Sequence, residues 1–206
     1  GVQQVLALVI GIVLARHLLP DDYGMVAMLT VFSLLAANLE ESGFTSAIAI
    51  KKSVGNRDYN AVLWFSFLMS LVLYGGLWFA APLISAFNHT PELTTLARVS
   101  FLGFVISSLG IAQSAYLFRN LMVKQRMIAT FVAVCTAGAV GIVLVLHGFA
   151  YWGLVAQDLT YKLMIVVMYW SLSPWRPKMQ FDLSPIREMF GFSSKILATN
   201  VLTTLN

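Results

Sequence analysis

Six apolar runs follow one another along this chain with only short polar joints between them, at approximately residues 1–15, 24–50, 61–87, 93–118, 127–147 and 150–171. A helix needs about 20 apolar residues to cross the hydrocarbon core of a bilayer, and every run but the first, cut short at its start, is near or above that length. Membrane-barrel strands are about 10 residues long and alternate in polarity, so these unalternating runs are helices. With 59% hydrophobic and 11% charged residues, the chain has about half the charged fraction of a soluble domain and more apolar surface than one core can bury. The expected fold class is all-α, a polytopic transmembrane helix bundle.

The basic residues fall in every second joint. Lys51, Lys52 and Arg57 share one, Arg119, Lys124 and Arg126 another, and Arg176, Lys178, Arg187 and Lys195 a third, which accounts for ten of the thirteen. The intervening joints hold only Arg16. Loops crowded with Lys and Arg resist translocation, so the basic joints and the start of the first helix are expected in the cytoplasm. The net charge of +4 belongs to these loops, and no basic patch carries interleaved stacking aromatics, which excludes nucleic acid as a partner.

The joints carry ordinary turn chemistry: Leu19-Pro20-Asp21-Asp22-Tyr23-Gly24, Gly55-Asn56-Arg57-Asp58, Asn88-His89-Thr90-Pro91-Glu92 and His147-Gly148-Phe149. The longest polar stretch, Ser171 to Arg187, contains Pro174, Pro177 and Pro185. The expected organisation is a six-helix lobe over 1–171, a cytoplasmic linker over 172–189, and the start of a seventh helix in a second lobe over 190–206. The chain begins and ends inside apolar runs, as a fragment does. Aromatic side chains mark the interfaces, with Tyr151 and Trp152 outside and Tyr169, Trp170 and Trp175 inside. Small residues recur at helical spacing at Ser100, Gly103, Ser107, Gly110 and Ser114, and at Ala133, Ala137 and Gly141. Such stripes let helices pack closely in lipid, and the serine face has a second reading as the wall of a polar cavity.

A charge near the bilayer centre costs at least about 2.5–3.5 kcal/mol, so each one implies a partner or a cavity. Asp158 and Lys162 lie roughly 9 and 15 Å below Trp152 at the helical rise, on one face at i,i+4 spacing. They form either a self-neutralised structural pair or, with Gln157 and Tyr161, the wall of an aqueous cavity meeting an anionic substrate or a coupling ion. Asn38, Glu41, Ser42 and Thr45 share a face of the second run, with Glu40 beside them. Adjacent carboxylates there raise each other's pKa and could carry protons, or they snorkel or pair with basic residues of another span. Arg16 and Arg98 lie near the outer side, either snorkelling or holding an anionic headgroup or pyrophosphate. Gln3 and Gln4 face a cavity or another helix.

His17, His89 and His147 have no metal-ligand spacing, and no phosphate loop or Ser/His/Asp arrangement appears, so neither enzyme chemistry nor a cofactor or metal is expected. The single cysteine, Cys135, is a packing residue, and Asn88-His89-Thr90 matches a glycosylation sequon.

The stretch Leu14-Ala15-Arg16-His17-Leu18-Leu19-Pro20-Asp21-Asp22-Tyr23-Gly24 resembles the first loop and second helix of the polysaccharide transporter family. That family comprises the Wzx-type flippases for O-antigen, capsule and colanic acid within the multidrug/oligosaccharidyl-lipid/polysaccharide superfamily. Its pattern there is roughly L-A-R-x-L-G-P-x-D-[FY]-G, and Leu19 replaces the usual glycine. Gly43-Phe44 through Lys51-Lys52, Leu96-Ala97-Arg98-Val99, Gly148 to Gln157 and Trp175-Arg176-Pro177 match in order along nearly the whole chain. The resemblance implies two six-helix lobes around a central cavity. Its implied work is flipping an undecaprenyl-pyrophosphate-linked oligosaccharide to the outer leaflet of a bacterial inner membrane by alternating access. It also implies a possible proton or sodium coupling ion, membrane lipids and other polysaccharide assembly proteins as partners. The substrate cavity is expected to hold Arg16, Arg98, Asp158, Lys162, Gln157, Asn38 and Glu41, with Arg16, Arg98 and Lys162 facing it together. A drug/cation antiporter should instead have an acidic cavity, and a membrane polymerase or ligase a large outer loop with catalytic Arg or His.

Overall fold

The computed structural model describes residues 2–41 and 54–178, with side chains over 4–34 and 54–178. Six helices succeed one another: α1 Val2–Ala15, α2 Pro20–Glu41, α3 Asn56–Phe87, α4 Leu93–Arg119, α5 Val123–Leu146 and α6 Ala150–Leu172. They form an all-α membrane bundle, with no strand among the described residues. Lys51, Lys52, Arg187, Lys195, the linker beyond residue 178 and the seventh helix lie outside the described residues.

Local chemistry sets the helix ends. Pro20 occupies the first turn of α2, where its missing N–H costs nothing, and Asp22 Oδ2 accepts from the Leu19 N–H at 2.8 Å. Asp58 does the same for α3, accepting from the Gly55 N–H at 2.9 Å. Both helices therefore begin a turn before their apolar runs. At the other ends His89, Leu121 and Gly148 take left-handed conformations, φ 54°, 53° and 86°, which turn the chain into the next pass. The sequon residues serve this turn: Asn88 Nδ2 donates to the Ile84 carbonyl at 2.8 Å, and Thr90 Oγ1 to that of Asn88 at 3.0 Å.

Among the described residues three helices, α3, α4 and α5, are long and apolar enough to cross a membrane by length and composition. The sequence reading gave that role to every run. In α1 the apolar stretch over 4–15 is short. Gln157, Asp158 and Lys162 dilute the apolar character of α6, and the side chains of α2 are described only to residue 34. Polar residues in a helix of spanning length must find partners inside the bundle, and that requirement directs attention to the face α2 and α6 share with α4.

Small residues set the contacts. The buried Ser70 hydroxyl donates to Ser108 Oγ at 3.1 Å, fixing the antiparallel register of α3 and α4. Gly141 admits Gln157, and Gly153 lies under Val145 and the Gly141 carbonyl, so α5 and α6 approach closely. Gly138 receives Ile10 of α1. Alternating passes bring Arg57, Arg119, Lys124, Arg126, Arg176 and Lys178 to one end of the lobe, here the basic end. There residues 173–178 fold back from α6: Trp175, 5% exposed, packs 5.5 Å from the ring of Tyr59, and the Lys178 N–H donates to Asn60 Oδ1 at 3.0 Å.

Candidate functional site

Between α2, α4 and α6 lies a cavity of about 870 Å³, with Arg126 of α5 in its lining at the basic end. Its composition follows from helical periodicity. Ser100, Ser107, Gly110 and Ser114 recur at the repeat of one face of α4, and Asp158, Lys162 and Tyr161 come from the facing side of α6. From α2 come Thr30 and Ser33 among apolar neighbours. The serine stripe thus has both functions foreseen for it. Its glycines take the packing, with Lys162 across Gly103 and Val166 against Gly110, while its serines face the cavity.

Lys162 is the centre of the site. Its Nζ donates to Asp158 Oδ2 at 2.6 Å and stands 5.8 Å from the centroid of the Phe104 ring. A carboxylate and the negative face of an aromatic ring together hold an ammonium in a setting that otherwise disfavours charge. Gly103 makes this possible, because a Cβ there would meet Lys162 Nζ at 2.7 Å and its Cδ at 2.9 Å. The Asp158 side chain is 47% exposed against 24% for Lys162, so the acid keeps an open flank while the cation is largely enclosed.

Arg126 supplies the second cation, its guanidinium 5.4 Å from the Phe118 ring centroid. Gly103 and Phe118 are fifteen positions apart on α4, which puts the two cations roughly 20 Å from each other along the axis. With Lys162 and Arg126 against Asp158, the described lining carries one net positive charge. Among the described residues, the hydroxyls of Ser100, Ser107 and Ser114 have no hydrogen-bond partner, whereas Ser108, on the α3 side, donates to the Val105 carbonyl at 2.8 Å. Free hydroxyls beside a carboxylate and a tyrosine are suited to a ligand rich in hydroxyl groups, and the cations to an anionic one.

The structure separates the residues that the sequence reading had put together. Asp158 and Lys162 face the cavity. Arg98 does not: its guanidinium lies 4.4 Å over the Trp78 ring, on the α3 side of α4. Arg16 is exposed beyond the end of α1, and Gln157 lies against Gly141 between α5 and α6. The side chains of Asn38, Glu41 and Gln3 are outside the described residues. Gln4 is exposed on α1. Arg126, read only as a topology determinant, lines the cavity because α5 begins at Val123, before the apolar run. Phe104 gave no signal, since an aromatic beside a glycine in an apolar run is ordinary. Cys135 is a free, half-buried thiol within α5, and no cluster of metal-ligating side chains occurs among the described residues.

The family described as polysaccharide biosynthesis protein matches residues 13–206. The succinoglycan biosynthesis transport protein ExoT of Rhizobium meliloti (strain 1021) is 26% identical over 190 residues, covering 92% of this chain and 38% of that protein. The teichuronic acid biosynthesis protein TuaB of Bacillus subtilis (strain 168) is 22% identical over 180 residues, 85% of this chain and 36% of its own length. The lipopolysaccharide biosynthesis protein WzxC of Escherichia coli (strain K12) is 23% identical over 206 residues, 94% and 40%. The chain thus spans about two fifths of the length of these relatives. No solved structure matches it.

Proposed function

This chain belongs to the polysaccharide biosynthesis protein family, whose relatives here include transport proteins, and from that premise we propose that it is the first lobe of a lipid-linked oligosaccharide flippase. The complete protein, with a second helical lobe, moves a polyprenyl-pyrophosphate-linked repeat unit across a bacterial inner membrane by alternating access. It makes and breaks no covalent bond. The basic end is cytoplasmic, following the bias of Lys and Arg toward that side.

One observation carries this reading. A cavity of about 870 Å³ joins two cations, set roughly 20 Å apart along α4, by a row of free hydroxyls. The pyrophosphate first meets Arg126 at the cytoplasmic end and passes to Lys162 deeper in the lobe. The sugar bonds to Ser100, Ser107, Ser114 and Tyr161, and the prenyl chain stays in lipid. Guanidinium matches phosphate oxygens in two-pronged fashion, which suits capture. The ammonium of Lys162 is a point donor already engaged by Asp158, which suits release.

An antiporter of cationic drugs fits less well, because a second cation faces any cationic guest. A polymerase or ligase fits less well, because at the end opposite the basic one α3 to α4 and α5 to α6 are joined only by residues 88–92 and 147–149.

The test is complementation. Cells lacking the gene should accumulate lipid-linked repeat units on the cytoplasmic leaflet, the complete wild-type protein should clear them, and Lys162→Gln at equal abundance should export about tenfold less, the scale of one charge-assisted hydrogen bond. Deletion without accumulation refutes flipping. Full export by Lys162→Gln removes Lys162 from the substrate path.

A further inference from the structure

Arg98 is a cation that the cavity does not use. Its guanidinium stacks 4.4 Å over Trp78, Trp78 lies 5.8 Å from Tyr74, and Arg98 Nε is buried without a hydrogen-bond partner. No acidic side chain pairs with it among the described residues. The two terminal nitrogens of the same guanidinium are not enclosed and have no partner among the described residues, so they are open to an acceptor from outside the chain.

The surroundings define that acceptor. The Ser70–Ser108 hydrogen bond sets the register of α3 against α4, and about two turns nearer the outer end Trp78 meets the guanidinium of Arg98, with Gly75 level with Gly103. From Trp78, Gly75 and Leu71 step along one face of α3 toward the bilayer centre, and Leu102 lies one turn below Arg98 on α4. Leu71 and Leu102 are exposed, and nothing lies within 4 Å of where a Cβ on Gly75 would be. The result is open apolar surface at Gly75, with a cation toward its outer end. Arg98 is five residues into α4, about 7.5 Å from the helix end, where a guanidinium reaches headgroup level by extending outward. No residue of α3 lines the cavity among the described residues, so this flank faces away from the substrate path.

We propose that the α3/α4 flank is a binding site for a phospholipid, its headgroup phosphate held by Arg98 on the Trp78 shelf and one acyl chain lying along the open apolar surface at Gly75. Charge complementarity gives the phosphate, and the open apolar track directly beneath it gives the lipid. The site holds a lipid of the leaflet at the end opposite the basic one, and it is distinct from the Lys162 cavity. Its occupancy fixes α4, whose other face carries the serine wall.

Native mass spectrometry of the delipidated full-length protein, titrated with phosphatidylglycerol, tests this. The tightest-bound lipid should weaken about tenfold in Arg98→Gln, the scale of a charge-assisted contact, while Lys124→Gln leaves it unchanged. Arg98→Lys, which keeps the charge and loses the fork, should fall between. Equal binding by wild type and Arg98→Gln overturns the proposal. So does displacement of the lipid by millimolar inorganic phosphate, which marks a free-anion site. If Arg98→Gln does not fold, wild-type protein carrying a photoreactive phosphatidylglycerol decides the matter. Cross-links concentrated in residues 71–79 and 98–102 support the site, and cross-links spread evenly over the exposed helix faces refute it.

Discussion

At the residue scale, the state of Lys162 depends on Gly103 and Asp158. A methyl group at 103 would meet the flexible end of the lysine rather than backbone, so Gly103→Ala should fold with a nearly unchanged melting midpoint and yet export several-fold less, because the ammonium is displaced. A midpoint that falls in step with export would make Gly103 a packing residue only. Asp158 competes with substrate for the same ammonium. Asp158→Asn should therefore bind a pyrophosphate-bearing lipid about tenfold tighter and release it more slowly, since binding gained in the ground state does not speed turnover. Weaker binding in a direct titration would mean that Asp158 itself contacts the substrate. The pair was legible in the sequence because i,i+4 spacing on one helix is local geometry. That Arg98 sits on Trp78 was not legible, because the destination of a side chain on α4 depends on its register with α3, set by a serine pair thirty-eight residues apart.

At the scale of elements, hydropathy located the helices but not their first turns, since Pro20, Asp22 and Asp58 start α2 and α3 with polar residues that a search for apolar runs passes over. Residues 173–178 are the sharper case. Their prolines read as a linker, yet Trp175 is enclosed at the basic end, and its neighbour Tyr59 in turn lies 5.4 Å from Tyr116 of α4. Nothing in Ser-Pro-Trp-Arg-Pro shows that a tryptophan has a receptacle more than a hundred residues upstream. Trp175→Ala should cost about 3 kcal/mol, seen as a lowered midpoint of thermal unfolding in detergent. Trp175 Nε1 is buried without a hydrogen-bond partner among the described residues, so Trp175→Phe removes an unsatisfied donor while keeping most of the ring contact. It should lie near wild type, and a loss as large as that of alanine would mean that Nε1 does have a partner.

At the scale of the whole molecule, sidedness joins the cavity to its proposed direction of work. The alternating passes gather the basic residues at one end, and the cavity leads from Arg126 at that end toward Lys162, so capture and delivery have a direction only if the basic end is cytoplasmic. Cysteine accessibility tests this in intact cells on a Cys135→Ala background. His89 and His147 are exposed at the turns opposite the basic end, and His89→Cys and His147→Cys should react with a membrane-impermeant maleimide added outside. Lys124 and Lys178 are exposed at the basic end, and Lys124→Cys and Lys178→Cys should react only after the membrane is opened. The reverse labelling would put Arg126 at the outer mouth, where an arginine poised to capture pyrophosphate works against export. Such a result would reassign the cavity to uptake or return of a carrier lipid while leaving the fold, the Lys162–Asp158 pair and the Arg98 flank as they stand.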